Sequence, residues 1–299
     1  MWTENTRGAL MMMASMAAFT LNDALMKLLA GEVPLYQILL LRGVLSALAL
    51  GVLAWRLGML DLRVPPQDRA LVALRMASEI GAAYFFLTAL FNMPLANVTA
   101  ILQSLPLIVT LGAVLVFAEP LGWRRIGAIL VGLVGVLLIV RPGTEGFTLY
   151  SLYALIAVGC VTVRDLATRR MSAQTPSMTV TFASALGVMV FFGALSLAET
   201  WVPVTPRAGA LIGGAGLMVV VGYLMSVMVM RVGEVSFIAP FRYTGMLWGL
   251  LLGWLMFDDW PSVLTLVGAV IVIGSGTWML WRERALRRRA AKRVPVQTL

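Results

Sequence analysis

The chain has 299 residues, 60% hydrophobic and only 12% charged, with a mean hydropathy of +0.91; a soluble domain carries about twice that charge, so water is excluded as the solvent of most of its surface. A formal charge of +9 does not point to nucleic acid, because seven of the 23 basic residues lie in the last eighteen positions and form a tail rather than a folded basic face. One cysteine, Cys160, and no histidine exclude an internal disulfide framework, a cysteine-only metal cluster and the commonest catalytic base.

Apolar windows bounded by charge, proline or glycine repeatedly reach the ~20 residues needed to cross a hydrocarbon layer. They predict spans at 8–30, 34–55, 70–91, 95–117 and 122–140, then, after Arg141-Pro142-Gly143, at 148–170, 176–198, 208–230, 234–257 and 261–281. The first span carries Asn22, Asp23 and Lys27 and leads into further spans without a small-residue cleavage site, so it reads as a helix and not a leader. With short loops throughout, no appended soluble module is expected. The predicted fold is all-α integral membrane with ten transmembrane helices, every function residing in the membrane.

Charged side chains inside such spans cost at least ~2.5 kcal/mol near the bilayer centre, so they face a wet cavity or pair with one another. In span one, Asp23 and Lys27 are four residues apart on one face, candidates for a gate; the plain alternative is Lys27 snorkelling with Asp23 as its counter-charge. Span two contributes Arg42. In span three Glu79 lies near the middle, a candidate to bind a substrate ammonium or exchange a proton, with Arg75 four residues earlier as its possible structural partner and Tyr84 further on. Asn97 and Gln103 in span four are candidate neutral hydrogen-bonding groups. Glu119, at the edge before span five, reads as a helix cap.

In the second half, span six carries Arg164 and the pair Asp165 and Arg169, a second candidate gate toward the opposite membrane face. Tyr223 in span eight is a candidate cavity wall. Span nine holds Arg242 and Tyr243 just past Pro240, whose missing amide weakens the helix, and then Trp248. All four of Tyr223, Arg242, Tyr243 and Trp248 are read as substrate-binding candidates. Gly245, Gly249 and Gly253 form a small-residue ridge better explained by close packing than by motion. Asp259, like Glu119, reads as a cap before the next helix.

Sixteen of the 23 Lys and Arg fall in segments that are internal if the N-terminus is cytoplasmic, two in external loops and five within spans, which places both termini inside. The halves also resemble each other. Thr20, Asp23 and Lys27 recur as Thr162, Asp165 and Arg169 at an offset of 142, Pro34 recurs as Pro176, and Phe117 and Glu119 recur as Phe257 and Asp259 at an offset of 140. An odd number of spans per half inverts the second copy. The expected organisation is therefore a five-helix repeat over 1–142, an inverted copy over 143–281 and a basic cytoplasmic tail over 282–299, with a central cavity between the halves.

Ala118-Glu119-Pro120, followed by Gly127, Gly132 and Gly135, resembles a mark of the EamA family of the drug/metabolite transporter superfamily, as does Ile238-Ala239-Pro240-Phe241-Arg242-Tyr243 with the later Gly253 to Pro261 run. The likeness spans roughly Gly8 to Trp281. It implies a central cavity lined mainly by spans one, three, four, six, eight and nine, and movement of small metabolites, amino-acid exporters being one branch and carriers of nucleotide-derived cofactors or vitamins others. Asp259 stands where members of the family more often carry Glu. The reading is a secondary transporter of small zwitterionic solutes in the inner membrane. No cofactor, metal, catalytic residue or nucleic-acid partner is expected; membrane lipids are, and oligomeric state is left open. The rivals are an uptake carrier for a cofactor or vitamin and, from another class, an intramembrane enzyme or a non-transporting scaffold.

Overall fold

A computed structural model describes residues 4–56, 63–118, 123–141, 148–172, 174–229 and 238–291. Among them every regular element is helical: α1 (Glu4–Lys27), α2 (Leu35–Arg56), α3 (Arg69–Asn92), α4 (Leu95–Leu102), α5 (Leu105–Phe117), α6 (Trp123–Val140), α7 (Leu149–Arg170), α8 (Ser177–Ser196), α9 (Pro206–Val229), α10 (Thr244–Phe257) and α11 (Val263–Ala291), with short 3-10 turns at Pro66–Asp68 and Ala239–Tyr243. Seven segments are long and apolar enough to cross a membrane, and Ile126–Val140 and Val263–Met279 are shorter apolar helices. Large apolar side chains point outward over most of the surface, as in Leu115 and Val270, which suits a lipid environment and no other.

Among the described residues helices lie over the expected segments, with three changes. Span four is two helices, α4 and α5, because Pro106 sits in the first turn of α5 and has no amide to continue the ladder; Gln103 and Ser104 make the joint. Span nine starts as the 3-10 turn around Pro240, and its first residues, 234–237, lie outside those described. The last helix runs through the basic tail to Ala291 instead of stopping at 281, and Arg282 lies over the Trp278 ring at 5.6 Å.

Packing is dominated by four helix pairs, α3 with α7, α1 with α9, α6 with α11, and α2 with α8. Glycine makes all four approaches close, a Cβ on Gly43 of α2 falling 3.1 Å from Met189 Cα of α8. A Cβ on Gly81 of α3 would meet Cys160 Sγ of α7 at 3.1 Å, and one on Gly222 of α9 would meet the Phe19 ring of α1 at 3.0 Å. Gly135 and Gly268 bring the backbones of α6 and α11 together, a Cβ on Gly268 falling 2.5 Å from the Gly135 carbonyl oxygen. The ridge of Gly245, Gly249 and Gly253 on α10 faces Gln103, Thr99 and Ala96 of the fourth span, so packing is its role.

The apolar core has two main parts. Met26, Leu29, Ile38, Leu39, Leu87, Leu90, Leu95 and Phe192 close one end of the bundle, while Ile101, Leu107, Ile129, Val158, Met246 and Val272 tie α4 and α5 to α6, α7, α10 and α11. At about 1.5–3 kcal/mol per fully buried Leu or Phe, both groups hold the bundle together, the first by sealing that end.

Asp259 is not the cap expected before the last helix. Ser262 is: its hydroxyl accepts from the Thr265 amide at 3.2 Å and from Arg141. A hydroxyl placed three residues before the recipient amide matches an N-cap, whereas Asp259 uses its own amide on the Gly253 carbonyl. Glu119 lies outside the described residues.

Candidate functional site

A cavity of about 1020 Å³ lies within the bundle, bounded by α1, α2, α3, α7, α8 and α9 and touched by the fourth span only at its joint, through Leu102 and Leu105. Two features of the expected lining change. Spans two and seven supply walls, and span nine supplies none among the described residues.

Helix periodicity explains which side chains enter. On α7, Val161, Arg164, Asp165 and Thr168 follow the i, i+3, i+4, i+7 stripe and all line the cavity. Asn22 and Asp23 enter from α1, Arg42 and Ser46 from α2, Arg75 and Glu79 from α3, Ser184 from α8, and Tyr223 and Ser226 from α9. The ionisable lining is thus Asp23, Glu79 and Asp165 against Arg42, Arg75, Arg164 and Arg169.

Arg164 organises the centre. Its Nη1 donates to Glu79 Oε1 at 3.3 Å and Oε2 at 3.5 Å, bridging α7 to α3, and its Nε donates to Asp165 Oδ1 at 2.9 Å. The pairing of Glu79 with Arg75 inside one helix is therefore not what forms. Arg75 instead reaches α7, where Nη1 donates to Thr168 Oγ1 at 2.8 Å; it is 8% exposed and its Nε has no hydrogen-bond partner. Arg42 is within electrostatic reach of Asp23 and Glu79, but among the described residues neither it nor Arg75 has a carboxylate within 4.0 Å. Asp23 accepts from the Asn22 amide at 2.8 Å, and Ser184 Oγ is buried without a partner.

Of the expected binding residues, Glu79 and Tyr223 line this cavity. The other six do not. Tyr84 stacks among aromatic rings, 5.3 Å from Phe85 and 6.3 Å from Tyr36. Gln103 donates to the Tyr243 carbonyl at 3.3 Å, tying the joint of span four to the 3-10 turn, and the Tyr243 ring is buried against Gly276 of α11. Asn97 and Trp248 sit in the α4 and α10 helices, with buried polar atoms, Oδ1 and Nε1, that have no partner. Arg242 is exposed at the bundle's edge. Apart from Arg242, these residues were polar or aromatic inside apolar spans, but they pack against other parts of the bundle, the commoner fate of such groups.

The two expected gates also rearrange. Asp23 and Lys27 do not pair: Lys27 Nζ donates to the carbonyl oxygens of Leu90 and Met93 and lies 5.3 Å from the centroid of the Phe257 ring. Those two carbonyls belong to the end of α3, where the helix leaves acceptors open. Asp165 is held by Arg164, and Arg169 lies 4.9 Å over the Phe117 ring.

The face carrying the C-terminal ends of α2, α7 and α9 has a connection that sequence did not reveal. Asp68 accepts from the Ser172 amide at 3.2 Å, the Ser172 hydroxyl at 2.6 Å and the Thr175 hydroxyl at 2.5 Å, and Ser172 and Thr175 line the cavity. At the opposite face Arg207 pairs with Glu32, and Gln37 exchanges hydrogen bonds with Val202, donating to its carbonyl at 2.9 Å and accepting from its amide at 3.1 Å. If Asp68 fastens the segment after α7, then in Asp68→Ala the Ser172 amide should exchange hydrogen at least about tenfold faster, because local opening then governs its protection; hydrogen-exchange mass spectrometry of the 171–176 segment measures this.

The model of the EamA-like transporter family matches residues 6–141 and again 148–281. The chain is 27% identical over 211 residues to a riboflavin transporter of Vibrio cholerae, 70% of each chain being covered. It is 22% identical to the pseudopaline exporter CntI of Pseudomonas aeruginosa, over 89% of this chain and 93% of that one, and 25% identical to an S-adenosylmethionine uptake transporter of Rickettsia bellii, over 64% and 65%. A crystal structure with 18% identity superposes with a TM-score of 0.66, covering 94% of this chain and 99% of the other, which establishes the fold alone.

Proposed function

The chain belongs to the EamA-like transporter family, and from that premise we propose that it is a secondary transporter moving a small zwitterionic metabolite, an amino acid or related solute, out across the inner membrane by alternating access. The observation that carries the reading is the cavity itself, where three carboxylates and four arginines converge from α1, α2, α3 and α7 in the middle of an otherwise apolar bundle. Intramembrane charge kept at such cost is expected where a polar solute passes. The named relatives move unlike solutes in opposite directions, so the cargo follows from the cavity and not from them.

Ten spans in two inverted repeats, 1–142 and 143–281, are part of the proposal. The family model's two matches support it, and so does the packing. The α3–α7 contact at Gly81 and Cys160 becomes the α9–α1 contact at Gly222 and Phe19 under an offset of 141. Arg169 over Phe117 becomes Lys27 over Phe257 when the halves are exchanged. Ala118 and Asp258, 140 apart, both end their helices in the left-handed conformation, at φ 51° and 52°. Equivalent contacts made by exchanged partners are what a pseudo-twofold axis in the membrane plane produces.

Cytoplasmic termini are supported by the basic-residue bias, while exposed Trp55, Trp123 and Trp281 near one face and Trp201 and Trp260 near the other suit the two interfaces without favouring either orientation. In that frame the cavity reaches inward past Ser172, while Met26, Leu29, Leu87, Leu90 and Leu95 close its outer end, an inward-facing state. Lys27 on Phe257 and Arg169 on Phe117 then act as outer and inner pins, with Asp23 and Asp165 beside them. In a Cys160→Ser background, Phe257→Ala should raise the reaction of a cysteine placed at Ser184 with an impermeant maleimide added from outside by about fivefold, since a loss of ~1 kcal/mol from the closed outer end shifts its population by that factor. An unchanged rate would remove the pin from the mechanism.

A second reading, an uptake carrier for a nucleotide-derived cofactor or vitamin, is favoured by the size of the cavity, which is at the upper end for sites that enclose drug-sized ligands. Purified protein in liposomes, offered amino acids, nucleosides and vitamins with and without a pH gradient, separates the two. Accumulation of amino acids supports the first and of vitamins the second, while no flux of any solute by folded protein would end both.

A further inference from the structure

We propose that Arg75 and Arg42 form an oxyanion subsite in this cavity, so that the cargo carries a carboxylate or phosphate group. The proposal rests on the transport reading above and names the chemistry that reading leaves open.

A guanidinium stays charged even when buried and presents five N–H donors in a rigid fork. Arg75 is 8% exposed, yet the structure gives it one hydrogen bond, to Thr168 Oγ1, and leaves its Nε without a partner. Burying a charged donor without an acceptor is costly, so the position calls for an acceptor that the described residues do not supply.

The carboxylate best placed by helical spacing to be that acceptor is already taken. Glu79, one turn along α3, is bound by Arg164, which also holds Asp165. Arg42 enters the same cavity from α2, also with no carboxylate within 4.0 Å among the described residues. Asp23 and Glu79 reach Arg42 only at longer range, so two guanidiniums on two different walls keep donors without a carboxylate in contact among the described residues, and bidentate binding makes planar carboxylates and phosphates the fitting groups. Hydroxyls are at hand as well, from Thr168, Ser46 and Ser184, the last buried with no partner.

The remaining acid lies away from the inner mouth. Asp23 and Asn22 enter from the last turns of α1, toward the sealed end, and Asn22 Oδ1 is buried without a donor. Arg75 sits in the second turn of α3 beside Thr168 in the last turn of α7, at the end nearer Ser172. A dipolar solute is thereby oriented, with its oxyanion toward the Arg75 end and its ammonium or N–H groups toward Asp23.

The test uses the full chain in liposomes and in detergent, with two pairs of probes that differ only in the anion: an amino acid against its amide, and a nucleoside monophosphate against its nucleoside. Wild type should transport, and be thermally stabilised by, the member of one pair that carries the carboxylate or phosphate at concentrations at least about tenfold lower than the member that lacks it; which pair responds identifies the group. Arg75→Gln should remove that preference, read as the ratio of the two members within each pair, and Arg75→Lys should restore part of it. Equal response of wild type to both members of both pairs, or a preference intact in Arg75→Gln, overturns the subsite while leaving transport standing. If no probe is transported, the transport reading fails, and the stabilisation measurements still decide the subsite. Should Arg75→Gln fail to fold, Thr168→Val, which removes the bond that orients Arg75 together with the hydroxyl's own bond to the Arg164 carbonyl, must weaken the same preference for the proposal to survive.

Discussion

Arg164→Gln is expected to lower flux by about two orders of magnitude, the largest functional effect of any single substitution in this protein. The reason is that one side chain satisfies two acids on two helices: Glu79 of α3 and Asp165 of α7 both bind it. Without it the cavity keeps three carboxylates against three arginines, so its excess of positive charge is gone and Glu79 loses the partner that ties it to α7. A hundredfold loss corresponds to about 2.7 kcal/mol, within reach of a charge-assisted pair in a partly dry site. The residues are 27–42% exposed, so solvent screens part of the cost to folding and the protein should still assemble. Glu79→Gln alone should impair flux less, by about tenfold. In the double variant the two losses should fall well short of adding, since both remove the same α3–α7 link. Initial rates of uptake into liposomes for the four proteins give the cycle, and simple additivity would show that the two side chains act independently.

The largest effect on stability is expected from Gly268→Val, about 3 kcal/mol or more. The first added carbon falls 2.5 Å from the Gly135 carbonyl oxygen and 2.8 Å from Ile139 Cγ1, and a backbone oxygen in a helix has no rotamer by which to retreat. Relief requires α6 and α11 to separate, which uncovers Ile129, Val136 and Val272. Gly127→Ala on the same α6 is the control: its Cβ meets nothing within 4 Å, so alanine's better helix propensity should leave stability equal or raise it by ~0.5–1 kcal/mol. Thermal unfolding in detergent, followed by monodisperse fraction after heating, measures both. A Gly268→Val protein that melts with wild type would mean that the two helices are not in backbone contact.

The spans were legible because crossing a membrane demands long apolar runs and charge between them, and both leave plain marks on sequence. The interior of the bundle was legible only in part. Asp23, Glu79, Arg75, Arg164 and Asp165 stood out as charges where charge is costly, and all five line the cavity. Their partners did not follow, since spacing along one helix finds neighbours at i+4 and is blind to a neighbour on another helix: Arg75 and Glu79 have ideal spacing yet bind Thr168 and Arg164 across the α3–α7 contact. Tyr84, Asn97, Gln103, Tyr243 and Trp248 were chosen for polarity or aromaticity. In lipid the outward face of a helix is as apolar as its packed face, so no pattern reports which way such a residue turns. Ser184 was overlooked for its modest chemistry, although it stands 142 positions after Arg42, the same offset that relates Asp23 to Asp165. Asp68 was overlooked because it precedes α3 in a loop, and only folding brings Ser172 and Thr175 to it.

The fastenings at the two ends of the bundle are chemically unequal. One is a buried carboxylate encircled by two hydroxyls and an amide; the other, Arg207 with Glu32, is a pair of full charges 60% and 39% open to solvent. Dissolved ions weaken attraction between exposed charges within ~10 Å at 0.1 M and barely touch a shielded ring of neutral donors. Concentrated salt should therefore ease the Arg207–Glu32 end alone, so that the two ends of the bundle answer unequally to the saltiness of their surroundings.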